Sequence, residues 1–446
     1  MKNSHKRRYT IKNVIIGIDG GSYNFIDPLI KKDVLPNFKK ILNKGFYANL
    51  KVTNPPVTVP SWPCNFSGLK VEDLGKCMFY NPKYGLFNSK YWRDYSIFSI
   101  EELRHFCLNI PSSYPAWPIN GEIITGMLSP SINENMIYPK NLLKLIKENW
   151  IIDGENIKEI FDAFEIKKEV FLKKTQEDFD LLTYVIRMPD CITHHPYIRS
   201  KKTQKVIDLS YKRIDSFLGN LIIDEGISTI FIISDHGLKK YNHELNMRKH
   251  LETNKILSYN TDEFSKFLSV FIKIFGIINI GFLNLDTTFF HNKVKEIFRK
   301  FFRNQNSNEK FKKAKTDTSF IHFYSNYGGI VLGKKDRKKR EIIKEKLSSL
   351  KYVDKIYEFN DDSMPDFIIK LYERYLFSVK SSYFKTNRSN SFNHSDKGIY
   401  MAFGDNIKKG NYNTISYIDI APTILKLYDI KAPPHMKGKI LDIIEK

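Results

Sequence analysis

"NVIIGIDGG", residues 13–21, and "STIFIISDHG", residues 228–237, decide the fold. Each is a run of β-branched and aromatic residues closed by an acidic residue and glycine. A strand with one wet face alternates apolar and polar residues. A continuous apolar run fits a parallel strand covered on both faces. Parallel strands need crossover helices, and helical patterns stand nearby, at 36–44 ahead of Gly45 and at 200–221. The chain therefore reads as α/β, with a mostly parallel central sheet flanked by helices. In such sheets the site lies outside the carboxyl ends of strands. Asp19, Asp235 and His236 fall there.

Working outward, further strands are expected at 106–111, 178–187, 327–333, 365–371 and 398–404. Helices are expected at 99–105, 142–164, 167–176 and 335–350, with a closing helix within 416–430. Residues 112–130 are rich in proline and glycine and read as a long loop, in which Tyr114, Trp117 and Asn120 either line the substrate site or only pack the loop. Residues 240–315 alternate apolar helical segments with basic ones and read as a helical lid inserted between strands of the main sheet. Within them, 267–285 approaches the length of a membrane span. Lys273, Asn279, Asn284 and two glycines interrupt it, so it reads as soluble helices or as a segment in peripheral contact with a membrane. No repeat divides the chain, and residues 1–446 are expected to form a single catalytic domain.

The chain of 446 residues is 42% hydrophobic and 14% aromatic, which excludes wholesale disorder. Its 71 basic and 49 acidic residues leave a net charge of +22. The basic residues are spread along the chain rather than gathered into an arm. They read as a soluble surface that also attracts anionic substrates, not as a nucleic-acid interface. Cys64, Cys77, Cys107 and Cys191 form no CxxC pair and read as reduced thiols. The apolar run Val14–Ile18 is too short for a signal-peptide core and ends at Asp19, so a cytoplasmic location is expected. Nothing in the pattern speaks to the oligomeric state.

The candidate chemistry sits in loops. Asp190 and His194 are four apart, so one helical turn puts both on one face. His394 lies just before the strand at 398. With Asp19, Asp235 and His236 they make three aspartates and three histidines, the supply for two divalent metal ions with three protein ligands each. Zinc suits these donors best, and manganese also fits. "NPPVTVPSWPCNFSG", residues 54–68, reads as a stiff proline-rich loop holding Thr58 in place. A hydroxyl so held is a candidate nucleophile beside two metals. Ser61 is the second hydroxyl, with a helix N-cap as its structural role.

These stretches resemble the type I phosphodiesterase/nucleotide pyrophosphatase branch of the alkaline phosphatase superfamily. "VIIGIDGGSYNFIDPLI" resembles its opening strand and helix, and "PPVTVPSWPCNFSG" its nucleophile segment. "MPDCITHH", "FIISDHG" and "NHSDKGIYMAFG" are similar to its ligand segments. "LNIPSSYPAWPINGEIITGMLSP" is similar to a microbial subgroup of predicted phosphohydrolases and mutases, and "ISYIDIAPTILKLYDIKAPPHMKGKIL" resembles the family's closing helix and loop. The resemblance implies an alkaline-phosphatase-like sheet and a metal-dependent phosphohydrolase cleaving a phosphodiester or nucleotide pyrophosphate bond. It makes Thr58 the nucleophile that becomes a covalent phospho-threonine. It gives Asp19, Asp235, His236 and Thr58 to one metal, and Asp190, His194 and His394 to the other. Many members carry His-Gly after the nucleophile helix, where this chain has Leu74 in "VEDLGKC". Two alternatives stand beside this reading: a phosphomutase or phosphotransferase using the same site, and a non-catalytic basic protein binding nucleic acid or anionic lipid.

Overall fold

The computed structural model describes residues 12–445, except 78, 82–84, 147–148, 195–200, 247–249, 252–255, 257–317, 323–324, 333–336, 361–363 and 378–386. The membrane-contact segment 267–285 and most of the expected lid lie outside the described residues.

The central sheet is built from β1 (Lys12–Ile18), β2 (Phe46–Lys51), β3 (His105–Ile110), β4 (Gly121–Thr125), β5 (Ile137–Tyr138), β6 (Leu181–Ile186), β7 (Ile227–Ile233), β15 (Lys397–Gly404) and β16 (Gly410–Ser416). Their order is β16-β2-β15-β7-β1-β6-β3-β4-β5. Strands β4, β3, β6, β1 and β7 are mutually parallel. β15 runs against both β7 and β2, and β5 runs against β4. The mostly parallel α/β sheet is therefore present. In β1 every residue is buried, and alternate side chains divide between two cores. Val14, Ile16 and Ile18 join the cluster of α1 (Tyr23–Ile30), α2 (Pro36–Lys44), α4 (Ile157–Lys174) and α5 (Lys201–Ile222). Ile15 joins the opposite cluster, with α3 (Thr58–Ser67) and α7 (Ile420–Lys426). Two covered faces explain the unbroken apolar run.

The expectation fails where local pattern and tertiary contact diverge. The proline-rich segment is not a loop: residues 58–67 form helix α3. The expected loop 112–130 contains β4, parallel to β3. The expected helix 142–164 is interrupted: a single turn at Leu143–Ile146 is followed by α4, which starts at Ile157 and absorbs most of the second expected helix. Gly154 makes the turn between them, for a Cβ there would lie 2.3 Å from the Ile160 nitrogen. Asn156 then caps α4, its side chain accepting from the Glu159 amide at 3.0 Å. The helix expected over 99–105 is one 3-10 turn, Ile97–Ser99, and His105 already belongs to β3. Trp117 donates to Ser99 Oγ and Asn120 to the Glu101 carbonyl, tying the 112–130 region to the turn before β3.

Residues 240–245, expected at the start of the lid, continue β8 (Gly237–Leu245). β8 turns away from the central sheet and pairs with β13 (Tyr375–Phe377) and β14 (Asn387–Ser395). Nor does 327–333 rejoin the main sheet. β9 (Thr318–His322), β10 (Tyr327–Leu332), β11 (Val353–Glu358) and β12 (Phe367–Leu371) form a separate antiparallel sheet in the order β9-β10-β12-β11. Helix α6 (Arg337–Ser348) covers it, joined through the buried Arg340–Asp366 ion pair at 2.5 Å. Tyr327 and Ile368 of this sheet share the core that holds Trp62. Tyr327 also donates from its hydroxyl to Asn54 Oδ1 at 2.8 Å, just upstream of α3.

His105 is fully buried at the start of β3, its Nε2 bonded to the Ile100 carbonyl at 3.2 Å and its Nδ1 without a partner. Burial pushes its pKa from 6.5 down to about 4. Between those values the unfolded chain binds a proton that the native state refuses. Stability is thus full above pH 6.5 and falls as pH drops towards 4. The loss is on the order of 3 kcal/mol. Urea unfolding from pH 7 to 4 is expected to show it, and His105→Gln to flatten that part of the profile.

Candidate metal centre

Strands β6, β1 and β7 are neighbours, and their ends are level: Ile18 pairs with Ile186 and Gly17 with Ile233. Asp19 follows β1 directly, Asp235 and His236 follow β7, and Asp190 opens a single helical turn, Asp190–Thr193, after β6. The Asp190 amide donates to the Asp19 carbonyl at 3.2 Å, tying two of these loops together. His394 arrives by another route. It is not in a loop before β15 but within β14, opposite Leu238 of β8. Because β8 starts directly after His236, this pairing brings His394 to the same edge. The two imidazole rings stack with centroids 3.6 Å apart.

Helix α3 supplies Thr58 as its first residue, and all ten of its residues are buried. Two prolines would ordinarily argue against a helix. Pro60 falls in the first turn, where an amide has no intrahelical partner. Pro63 removes the bond to the Val59 carbonyl, which accepts instead from Ser112 Oγ at 3.4 Å. Ser61 is not the N-cap: Val57 holds that position, and the Ser61 hydroxyl bonds to the Thr53 hydroxyl. The helix lies on β1 because residue 17 is glycine, where a Cβ would come within 2.5 Å of the Trp62 ring. Asn65 Nδ2 donates to the Ser234 carbonyl at 3.1 Å, fixing α3 to the end of β7. Thr58 Oγ1 thereby lies 3.3 Å from His236 Nε2.

Thr58 and the six candidate Asp and His ligands are thus brought to one place. Asp190 Oδ1 is 3.2 Å from Nε2 of both His194 and His394, and those two nitrogens are 2.8 Å apart. His236 Nε2 is 3.5 Å from Asp19 Oδ1 and 3.4 Å from Asp235 Oδ2. Asp190, His236 and His394 offer ligand atoms within 4.8 Å of one another, and so do Asp19, Asp235 and His236. His236 therefore stands between two groups.

The donor set fits divalent cations. Asp19 and Asp235 each have one oxygen held from outside and one without a hydrogen bond. Gly20 N–H donates to Asp235 Oδ1 at 3.2 Å, while Oδ2 is unpartnered. Gly20 takes φ +72°, which favours glycine. Asp19 Oδ2 is bonded by Arg187, while Oδ1 is unpartnered. Asp190 Oδ1 likewise lacks an aligned donor. The imidazoles are prepared in the same way. Nδ1 of His236 faces the Gly237 carbonyl at 3.1 Å, and Nδ1 of His394 the Pro56 carbonyl at 2.8 Å. A carbonyl only accepts, so both Nδ1 atoms donate, and each Nε2 is the nitrogen left facing the carboxylates.

The electrostatics point the same way. Burial, then the charges of Asp19 and Asp190, hold Asp235 well above the usual carboxylate range. Burial pushes Asp19 up to about 7 despite Arg187. Burial also acts upward on Asp190, but His194 and His394 outweigh it and hold Asp190 well below its ordinary value. Burial and the neighbouring His394 push His236 down, favouring its neutral form. Asp19 and Asp235 resist ionising together, a repulsion that a bound cation would relieve.

Arg187 is the contact that sequence reading missed. The visible signal was a charged residue ending a buried apolar strand, three positions before Asp190.

A mostly parallel α/β sheet with six Asp and His side chains gathered at its strand ends defines the architectural class, an alkaline-phosphatase-type fold. Residues 13–396 match the family described as type I phosphodiesterase/nucleotide pyrophosphatase, and the chain belongs to this family of hydrolases. Murine ectonucleotide pyrophosphatase/phosphodiesterase 5 has a similar structure, with TM-score 0.57 and 13% identity over 96% of this chain and 97% of that one. An inactive variant of it in complex with AMP gives TM-score 0.59 at 12% identity, with the same coverage. The human counterpart gives 0.56 at 14%, again covering 96% and 97%. No curated protein sequence matches the chain.

Two measurements test the site. Adding zinc or manganese to chelator-stripped protein is expected to raise the melting temperature by several degrees, as ligand binding to the native state alone requires. Asp235→Asn is expected to blunt that rise. Gly17→Ala forces Trp62 off β1 and is expected to lower stability by about 1–3 kcal/mol in urea unfolding, with turnover falling as Thr58 shifts.

Proposed function

We propose that this chain hydrolyses a phosphodiester or nucleotide pyrophosphate bond through a covalent phospho-threonine formed on Thr58. The observation that carries the reading is the Thr58 hydroxyl, 3.3 Å from His236 Nε2 at the boundary between two groups of candidate ligands. Asp19, Asp235, His236 and Thr58 would hold one divalent ion, and Asp190, His194 and His394 another, with zinc first and manganese second in fit. Bound there, the ions would lower the pKa of the threonine hydroxyl, neutralise phosphate charge and stabilise the leaving oxygen.

The chain's own part is positional. Thr58 loses its proton to solvent and Oγ1 bonds to phosphorus as the ester or anhydride P–O bond opposite it breaks. The leaving oxygen takes up a proton from solvent; water then breaks the Oγ1–P bond, freeing the phosphate monoester that keeps the second ester group and restoring the hydroxyl. Of the first four amides of α3, Pro60 has none and that of Ser61 donates to the Val57 carbonyl at 3.2 Å. The Thr58 and Val59 amides, at the positive end of the helix, are left for a phosphate oxygen. The AMP complex of the murine relative supports a nucleotide as substrate, and the net charge of +22 favours the approach of any anion. The chain is taken as one catalytic unit, since the second sheet packs into the same core as α3. Four free thiols support a reducing, cytoplasmic setting.

Thr58→Ala is expected to lower turnover of bis-p-nitrophenyl phosphate, with zinc or manganese present, by roughly 10³-fold or more and to leave the fold intact. Undiminished turnover would sink the assignment. Product analysis with an acceptor alcohol separates hydrolysis from transfer: a transferred phosphoryl group would make the chain a transferase.

A further inference from the structure

We infer that Arg187 is a positioning residue for both halves of the metal centre, a bracket that holds the outer oxygens of Asp19 and Asp190 so that one oxygen of each faces the metals. This rests on the two-metal reading above.

The strand register sets it up. Asp19 extends β1 and Arg187 extends β6, and because Ile18 pairs with Ile186 the two residues stand opposite each other. The Asp19 amide donates to the Ile186 carbonyl at 2.9 Å, locking that level. Arg187 Nη1 bonds Asp19 Oδ2 and lies 4.0 Å from Asp190 Oδ2. Asp19 Oδ1 and Asp190 Oδ1 are the oxygens nearest the histidines. One guanidinium thus touches an aspartate of each ligand group, always on the side away from the imidazoles.

The bracket is anchored from behind. Arg187 Nε lies 3.4 Å from Asp153 Oδ1, in the stretch between the turn at 143–146 and α4. That stretch is fixed by Lys167 of α4, whose Nζ donates to the Ile152 carbonyl at 2.7 Å. The Arg187 side chain is only 12% exposed, and Asp19 and Asp190 are 0% and 3%. A buried permanent cation next to a cation site is costly unless each of its donors is used. Here Asp19 and Asp153 accept from its Nη1 and Nε, and Asp190 lies within ion-pair distance of the same Nη1. A fork with fixed donor directions meets that geometry, and a lysine ammonium does not. Outer partners of this kind orient ligating carboxylates, and their loss typically weakens metal binding about 10–100-fold.

The test is a calorimetric titration of chelator-stripped protein with zinc, and separately with manganese, together with the melting temperature of the metal-free form. Arg187→Met is expected to bind metal at least about tenfold more weakly while its metal-free melting temperature stays within a few degrees. Arg187→Lys is expected to fall between the two. Asp153→Asn, which releases the back of the bracket, is expected to weaken binding in the same direction by less. Metal affinity in Arg187→Met equal to or tighter than in the parent would overturn the inference, because a mere charge balance, not positioning, would then govern the site. If Arg187→Met fails to fold, Asp153→Asn decides: severalfold weaker binding upholds the bracket and unchanged binding removes it. A parent protein that binds two metals but cleaves no phosphodiester or pyrophosphate would defeat the proposed function and leave the bracket to the titrations. An active parent whose metal affinity is untouched by both variants would defeat the bracket alone.

Discussion

Three buried carboxylates, Asp19, Asp190 and Asp235, face one another at the ends of adjacent parallel strands. Like charges in a dry site repel, and burial raises the cost of each. The structure around them is arranged to bear that cost. One oxygen of Asp235 is held by a backbone amide and one of Asp19 by Arg187, and Asp190 is flanked by two histidines. The remaining oxygens are left for cations. Divalent cations bound among these groups would relieve the repulsion.

The same constraint explains the surroundings. The sheet must be covered on both faces, or the strand ends would be wet and the carboxylates solvated. Helix α3 provides one cover and carries the candidate nucleophile, so its tight seating on β1 matters twice. Gly17 allows Trp62 to approach, Asn65 ties the helix to Ser234, and Ser112 replaces the hydrogen bond that Pro63 cannot make. The four-stranded sheet reaches the same place through the Tyr327 hydroxyl on Asn54, and β8 through the Tyr241 hydroxyl on the His394 carbonyl, 2.8 and 2.7 Å long.

Much of this could be read from the linear sequence. Strands β1 and β7 declared themselves by unbroken apolar runs, and the acidic residues closing them marked the edge of the sheet. Helix α2 begins and ends where its proline and glycine neighbours say, at Pro36 and Lys44. The six Asp and His positions and Thr58 were all singled out by residue type and place. Helix α3 was not legible, because prolines oppose a helix unless distant groups compensate. β4 hid in a proline-rich stretch for a similar reason, since β3 and not its own pattern makes it a strand.

The sequence by itself determined which residue types stand at the ends of which strands, because burial on both faces leaves a local signature of period and composition. Only the tertiary structure decided how those residues meet. Strand order placed β6, β1 and β7 side by side, register levelled their ends, and the pairing of β8 with β14 carried His394 across 158 residues from His236. It also decided that Arg187 faces Asp19. Such contacts depend on hydrogen-bonded register between strands far apart in the chain, and no local pattern encodes a distance of that kind.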